Sequence, residues 1–222
     1  MPHLLHLDAS ARSRSFSRDL TARFARAWRT VDPDGDYTHR DLAVDPPPPI
    51  NQAWTEICDD LLRRGITDPA RYVEAVTTPE REAAWAVVEP LLDEVLTADV
   101  ILIGSPMYNY SVPGALKTWI DQITFPRMSL AGRVFVVLSA RGGAYGPGTP
   151  KAAFDHQERY LRDFLAGHFA VDDPVFLSVE LSNTLVDPVL GHLTAKHHDS
   201  VARAEVAVDE LVADLWARRW AG

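Results

Sequence analysis

Two short segments that are almost entirely apolar constrain the fold of this chain more than any other feature. Residues 100–104 read VILIG, and residues 133–139 read RVFVVLS. A strand with one face in water alternates polar and apolar residues, whereas a strand covered on both faces reads as a continuous apolar run. Both segments are therefore predicted to be central strands of a parallel sheet, with helices packed on each face.

The rest of the chain alternates β-like and helical patterns around these two strands. Further strands are predicted at residues 3–8, 36–42 and 175–181. Helices are predicted at 17–28, 78–97, 113–123 and 151–166, and a C-terminal helix follows the last strand and ends near Trp220. Residues 51–76 are predicted to form short helices joined by turns. This order predicts an α/β fold with a doubly wound five-stranded parallel sheet, strand order 2-1-3-4-5 and helices on both faces. We expect residues 1–222 to form a single domain.

Charge and hydropathy exclude several functions. The net charge is -9 and lysine and arginine are not clustered, which argues against nucleic-acid or anionic-membrane binding. No apolar run approaches the roughly 20 residues of a membrane span. The N-terminus lacks the basic start and cleavage site of a signal peptide, so we expect a cytoplasmic protein.

The residues of redox and metal chemistry are sparse. Cys58 is the only cysteine, so the chain can form neither an internal disulfide nor a Cys-x-x-Cys motif, and electron transfer would need a bound cofactor. His192, His197 and His198 lack the helical spacing of metal ligands, and no metal site is predicted. No G-x-S-x-G motif supports serine hydrolysis.

The loop after the first predicted strand, residues 9–17 (ASARSRSFS), is rich in hydroxyls and leads into a helix N-terminus. Free N–H groups, the helix dipole and serine hydroxyls together favour an anion, and Arg12, Arg14 and Arg18 would add positive charge. Neither G-x-G-x-x-G nor the P-loop motif follows this strand, which favours a mononucleotide over a dinucleotide. The alternative is that the serines serve only as caps and turn residues.

Two more unusual loops follow predicted strands. Residues 105–113 (SPMYNYSVP) place a methionine and two tyrosines between prolines. This segment would form a stiff apolar ledge on which a flat ring could lie, and Asn109 would reach the polar edge of that ring. Residues 140–148 (ARGGAYGPG) carry paired glycines that permit positive φ and close approach of a ligand. The alternatives are that the ledge is part of the core and that the glycine loop is merely flexible. All three loops fall at the carboxyl edge of the sheet, where ligands bind in this architecture.

These segments resemble the FMN-dependent NADH azoreductases and NAD(P)H quinone reductases, which have the flavodoxin-like fold. The matching segments are HLDAS with SRSFS, RDLA before a proline loop, SPMYNYSVPGALKTWID and ARGGAYGPG, in order over nearly the whole chain. The resemblance implies bound FMN, NADH or NADPH as donor, and two-electron ping-pong reduction of a quinone, azo compound or related aromatic acceptor. It also implies a homodimer with the active site near the interface.

The resemblance also implies roles for individual positions. They would form a loop that binds the FMN phosphate, a ledge under the flavin ring and a turn at the pyrimidine side of that ring. The implied cofactor-binding residues are Ser10, Ser15, Phe16, Ser17, Pro106, Met107, Tyr108, Asn109, Tyr110, Ala140, Arg141, Gly142 and Gly143. The flavin carries the chemistry, so no catalytic side chain is implied. Asn109 and Tyr145 are predicted substrate-side contacts.

Two alternative functions and two departures from the family accompany this interpretation. The alternatives are a flavin reductase that supplies a monooxygenase and a non-enzymatic, flavodoxin-like electron carrier. The connection across residues 121–133 is shorter than in the family, and we predict a more open flavin face. Residues 51–76 also match poorly, and their Trp54 and Tyr72 could close the site instead. Trp119, Ile120 and Ile123 would face either a partner chain or the sheet.

Overall fold

A five-stranded parallel sheet forms the centre of the computed structural model, which describes residues 1–220. The strands are β1 (Leu4–Asp8), β2 (Tyr37–Asp41), β3 (Val100–Pro106), β4 (Val134–Ala140) and β5 (Val175–Val179). Their order is β2-β1-β3-β4-β5, and every pairing is parallel. The predicted fold class and strand order are thus confirmed. All residues of β3 are buried, as its continuous apolar run predicts.

Six α-helices connect and cover the strands. They are α1 (Phe16–Val31), α2 (Gln52–Arg64), α3 (Pro79–Thr97), α4 (Gly114–Ile123), α5 (His156–Phe169) and α6 (Thr194–Arg219). Short 3-10 turns lie at Pro69–Ala75, Ala152–Phe154, Ser182–Leu185 and Pro188–Leu193. Helix α3 starts as the sequence predicts, because the Thr78 hydroxyl accepts from the Arg81 N–H and Pro79 occupies the first position. None of these helices is long and apolar enough to cross a membrane.

The helices form one apolar layer on each face of the sheet. Helices α1 and α6 pack on one face, where the Phe24 and Trp28 rings stack on each other and Trp216 meets Trp28 edge-on. Helices α2 to α5 pack on the other face. This two-sided cover leaves the carboxyl edge of the sheet as the place where the connecting loops meet.

The segment 51–76 and the short connection after α4 pack against each other. Phe125, in that connection, is 1% exposed, and its ring centroid lies 4.8 Å from that of Tyr72 and 5.5 Å from that of Trp54. All three belong to the apolar layer formed by α2 to α5. The alternative in which Trp54 and Tyr72 fold over the site is therefore wrong, because both rings are used in this layer.

The apolar face of α4 is also used inside the chain. Trp119, Ile120 and Ile123 are each at most 2% exposed and pack on the sheet. Of the two surfaces open to them from the sequence, the structure selects the sheet, so they supply no contact for a partner. Cys58, on α2, is buried as well, and burial raises the pKa of its thiol to about 12.

Candidate functional site

One cavity of about 620 Å³ lies at the carboxyl edge of the sheet, where the loops after β1, β3, β4 and β5 meet. Such a volume is within the range of small-molecule sites. The cavity brings together most of the residues singled out in the sequence. These are Ser10, Ser15, Phe16, Pro106, Met107, Tyr108, Asn109, Tyr110, Ala140, Gly142 and Tyr145.

The serine loop ends in a helix N-terminus whose amide groups are available to a ligand. The first intrahelical bond of α1 runs from the Asp19 N–H to the Ser15 carbonyl, so the three preceding N–H groups have no helical acceptor. The Ser15 side chain does not cap the helix; its hydroxyl lies 3.0 Å from that of Ser17. Arg12 and Arg14 line the same end of the cavity. These donors and the helix dipole favour an anion.

The ledge after β3 is a tight turn with a fixed shape. Tyr108 and Ser111 exchange two backbone hydrogen bonds of 3.0 Å, and the two residues between them have positive φ, 49° at Asn109 and 70° at Tyr110. Positive φ at both central positions is the geometry of a type I′ turn. The Tyr108 hydroxyl accepts from the Ala11 N–H at 3.2 Å, which connects the ledge to the serine loop. The turn thus presents two tyrosines and an exposed amide to the cavity.

The loops after β4 and β5 close the opposite side of the cavity. The Asn183 N–H donates to the Gly142 carbonyl at 3.2 Å, and the Ser182 N–H donates to the Arg141 carbonyl at 3.1 Å. A Cβ atom on Gly142 would lie 2.6 Å from the Asn183 Oδ1, so a larger residue here would displace the Asn183 side chain. The close approach that the paired glycines permit is therefore made by Asn183, and neither Gly142 nor Gly143 has positive φ.

Three predicted site residues do not line this cavity. Ser17 is fully buried beneath the loop, and Gly143 lies against the side chain of Lys151. Arg141 points elsewhere: its guanidinium is 2.7 Å from Asp155 and 3.2 Å from Glu158, at a second cavity beside α5. Its side chain is therefore placed to hold loops together rather than to contact a ligand here.

Arg18 is also committed within the chain. Its guanidinium binds both carboxylate oxygens of Asp41, at 2.7 and 2.8 Å, and donates to the Ser10 carbonyl at 2.6 Å. The bond from Arg18 holds the pKa of Asp41 below its usual value. Arg18 thus positions the serine loop, while Arg12 and Arg14 remain as cations at the cavity. Burial raises the pKa of the Tyr145 hydroxyl, which stays protonated at neutral pH.

Sequence reasoning missed several residues that line the cavity. They are Asp19, Lys151, Ser182, Asn183, Leu185 and Val186. Four of them follow β5, whose loop contains no motif that stands out in the sequence. The same rule that pointed to the other loops, namely that ligands bind beyond the carboxyl ends of parallel strands, would have indicated this one.

The cavity opens beside the end of β1, between strands whose connections run to opposite faces of the sheet. A doubly wound parallel sheet with its cavity at this switch point defines the flavodoxin-like class of α/β proteins. Residues 2–210 match the family model described as flavodoxin-like fold.

Curated relatives and solved structures agree with that class. An FMN-dependent NADH:quinone oxidoreductase of Nocardia farcinica is 65% identical over 204 residues, covering 92% of this chain and 94% of the relative. An FMN-dependent NADH:quinone oxidoreductase of Parafrankia sp. is 39% identical, and the match covers 92% of this chain and 96% of the relative. The crystal structure of azoreductase AzrA matches with a TM-score of 0.77 at 19% identity, and the match covers 96% of this chain and 99% of that one. The chain belongs to the flavodoxin-like family that includes these oxidoreductases.

Proposed function

We propose that this protein is an FMN-dependent NADH:quinone oxidoreductase of the azoreductase type. The observation that carries the proposal is the cavity that joins the α1 N-terminus to the tyrosine ledge. FMN has an anionic phosphate at one end and a flat ring at the other, and the cavity offers a site for each. Residues 1–222 would act as one FMN-binding domain, with NADH or NADPH as donor.

The residues of the cavity fit the two ends of FMN. The phosphate would be held by the free amide groups at the start of α1 and by the Ser15 hydroxyl, with Arg12 and Arg14 adding positive charge. The ring would lie on the ledge between Pro106 and Tyr110. When bound, FMN supplies the two-electron chemistry that couples NAD(P)H oxidation to reduction of a quinone, azo or related aromatic compound.

The chain itself would position the substrates and exclude water from one side of the ring. The ledge and the β4 and β5 loops surround one cavity, so donor and acceptor are expected to occupy it in turn. Asn109 and Tyr145 line the cavity and would contact the substrate. Initial rates at varied donor and acceptor should therefore give parallel double-reciprocal lines. Intersecting lines would contradict alternating occupancy.

A purified sample tests the proposed function directly. We expect a yellow protein that releases FMN on heating, as identified by mass spectrometry, and that oxidises NADH faster when a quinone is added. Release of FAD, or no NADH oxidation with any acceptor, would contradict the proposal. A flavin reductase would lose FMN during gel filtration. An electron carrier would ignore NADH and accumulate one-electron-reduced flavin on illumination.

The serine loop gives a specific prediction for cofactor binding. Ser15→Ala should weaken FMN binding by about 1 kcal/mol, the usual value of one hydrogen bond to the phosphate. Ser17 is left unchanged because it is buried beneath the loop and does not line the cavity. Fluorescence titration of the apoprotein with FMN measures the change. Ser13→Ala is the matched control, because Ser13 is exposed in the same loop and does not line the cavity. Equal affinities for all three proteins would place the phosphate elsewhere.

A homodimer is part of this proposal, and an exposed apolar surface supports it. Five large apolar side chains, three of which line the cavity, are between 43% and 78% exposed, and we call them the apolar rim. They are Tyr110, Phe154, Leu185, Val186 and Val189. Exposed apolar patches of this kind mark interaction surfaces. A partner seated on the rim would lie beside the cavity, which agrees with an active site near the interface.

Charge on the apolar rim should separate the two copies. We expect light scattering to give twice the chain mass of 24.6 kDa for the native protein. Replacing both Val186 and Val189 with glutamate should give the single-chain mass, because a buried carboxylate is strongly unfavourable at an interface. Val206→Glu is the control, since Val206 is 55% exposed on α6. A native mass of 24.6 kDa would exclude the dimer.

Two further expectations belong to the proposal. Among the described residues, none from 124–132 lines the cavity, which supports an open flavin face that reacts readily with oxygen. The NADH oxidase rate without added acceptor tests this, and a rate near zero would contradict it. We also propose a cytoplasmic location, where NADH and NADPH are available.

A further inference from the structure

Three side chains with metal-binding atoms meet at the β1–β2 edge of the sheet. His6 and Asp8 are two residues apart on β1 and so project from the same face. His39, on β2, pairs in register with His6. One ligand atom from each of the three lies within 4.8 Å of the others. They lie apart from the cavity described above and line another one, of about 370 Å³, beneath α1.

The distances within this group suit a tetrahedral metal ion. The Asp8 Oδ2 lies 3.2 Å from the His6 Nε2 and 3.2 Å from the His39 Nε2. Zinc bonds of about 2.0–2.1 Å place neighbouring tetrahedral ligands about 3.3 Å apart. Both histidine–aspartate spacings therefore match those of neighbouring zinc ligands, and all three ligand atoms lie within 4.8 Å of one another.

His6 has a buried nitrogen that is left without a hydrogen-bond partner in the described part of the chain. The residue is 3% exposed, and its Nε2 makes no hydrogen bond despite its nearness to Asp8. Its other nitrogen, Nδ1, lies 2.9 Å from the Tyr37 hydroxyl. A proton on Nδ1 donated to Tyr37 leaves the Nε2 lone pair directed at the group. Metal-binding histidines have this arrangement, with an outer partner that fixes the ring.

Asp8 is held as a carboxylate with one oxygen directed at the histidines. Its Oδ1 accepts from the Thr21 hydroxyl at 2.9 Å. The nearest cation, Arg18, lies 3.7 Å from the Oδ2 and is neutralised by its two bonds to Asp41.

We propose that His6, Asp8 and His39 bind a divalent transition metal of the zinc type, with Tyr37 as the outer partner of His6. The fourth position faces the cavity beneath α1 and would be filled by water. The site is structural, because it lies apart from the cavity proposed for FMN. Asp8 directly precedes the serine loop, so a bound ion would fix the point from which that loop starts.

Spacing along the chain could not reveal this site, which is why the sequence predicted no metal. His6 lies on β1 and His39 on β2, with α1 between them in the sequence, and only the strand register makes them neighbours. The three histidines that the sequence did single out do not form such a group. His197 is buried, and its Nδ1 lies 2.8 Å from the Glu180 carbonyl oxygen.

Cobalt and zinc titrations test the proposal on untagged protein freed of metal by a chelator. Co²⁺ should give the visible absorption of a tetrahedral site at one equivalent, and Zn²⁺ should displace it. Tyr37→Phe should weaken binding about 10–100-fold, the usual effect of removing an outer partner. His39→Gln removes a ligand and should weaken binding by more than that. His168→Gln, an exposed histidine on α5, is the control.

The variants distinguish a built site from binding by surface histidines. Because the His39 side chain is 41% exposed, His39→Gln should fold normally. Zn²⁺ should raise the melting temperature of the native protein but not that of His39→Gln. The proposal is overturned if native protein gives no tetrahedral Co²⁺ spectrum, if His39→Gln binds as tightly as the native chain, or if His168→Gln causes an equal loss.

Discussion

Phe125→Ala is expected to lower the free energy of unfolding by about 3–5 kcal/mol, the usual cost of removing a buried phenyl ring. The ring is 1% exposed and touches Tyr72 and Trp54, with the Trp85 ring 6.1 Å away, centroid to centroid. Its loss would leave a cavity between the segment 51–76 and the connection after α4. Urea unfolding followed by circular dichroism measures the change.

Two companion variants show whether the cavity is the cause. Phe125→Leu keeps most of the volume and should cost less than about 1.5 kcal/mol. Leu62→Ala, on α2, removes a side chain that is 45% exposed and lies outside the apolar rim, and it should change stability by about 0.5 kcal/mol or less. A loss below about 1 kcal/mol for Phe125→Ala would show that residues 51–76 are held by other contacts.

Arg141→Met should destabilise the fold by about 2–4 kcal/mol. The Arg141 side chain is 4% exposed and lies within 4.0 Å of carboxylate oxygens of Asp155, Glu158 and Glu180. Removing the cation leaves the carboxylates of Asp155 and Glu180 without it, while Glu158 keeps its bond to Arg162. The estimate is below the about 3–5 kcal/mol of a fully buried pair, because these carboxylates keep partial contact with water.

The control for Arg141 is an arginine on the surface of α5. Arg159 is 80% exposed and 3.9 Å from Asp163, so Arg159→Met should change stability by about 0.5 kcal/mol or less. Both variants are compared with the native chain by thermal and urea unfolding. Equal stability of Arg141→Met and Arg159→Met would mean that the ion network adds nothing to the fold.

The sequence predicted the strands well because their signal is local. A continuous apolar run such as residues 100–104 indicates a central strand wherever it occurs, and the alternating order of elements limits the topology. The loops after β1 and β3 were found for the same reason, since their residues are contiguous. Features that depend on contacts between distant segments were not found in this way.

Arg141 and His39 illustrate contacts that could not be predicted from the sequence. From the sequence, Arg141 follows a strand and belongs beside the other loop residues, but its long side chain turns toward Asp155, the N-cap of α5, and Glu180, just after β5. His39 gains its neighbours His6 and Asp8 only through strand register. Both outcomes are decided by where a side chain points, which neither spacing nor composition specifies.

The burial of Cys58 has a consequence for a protein proposed to work on quinones. Quinones are electrophiles that add to thiolates and so inactivate many proteins by alkylation. Because burial raises its pKa to about 12, the thiol of Cys58 stays protonated at neutral pH and is a poor nucleophile. It is also 7% exposed, and the chain has no other cysteine. The folded protein is thus protected from covalent self-inactivation by the compounds it would reduce.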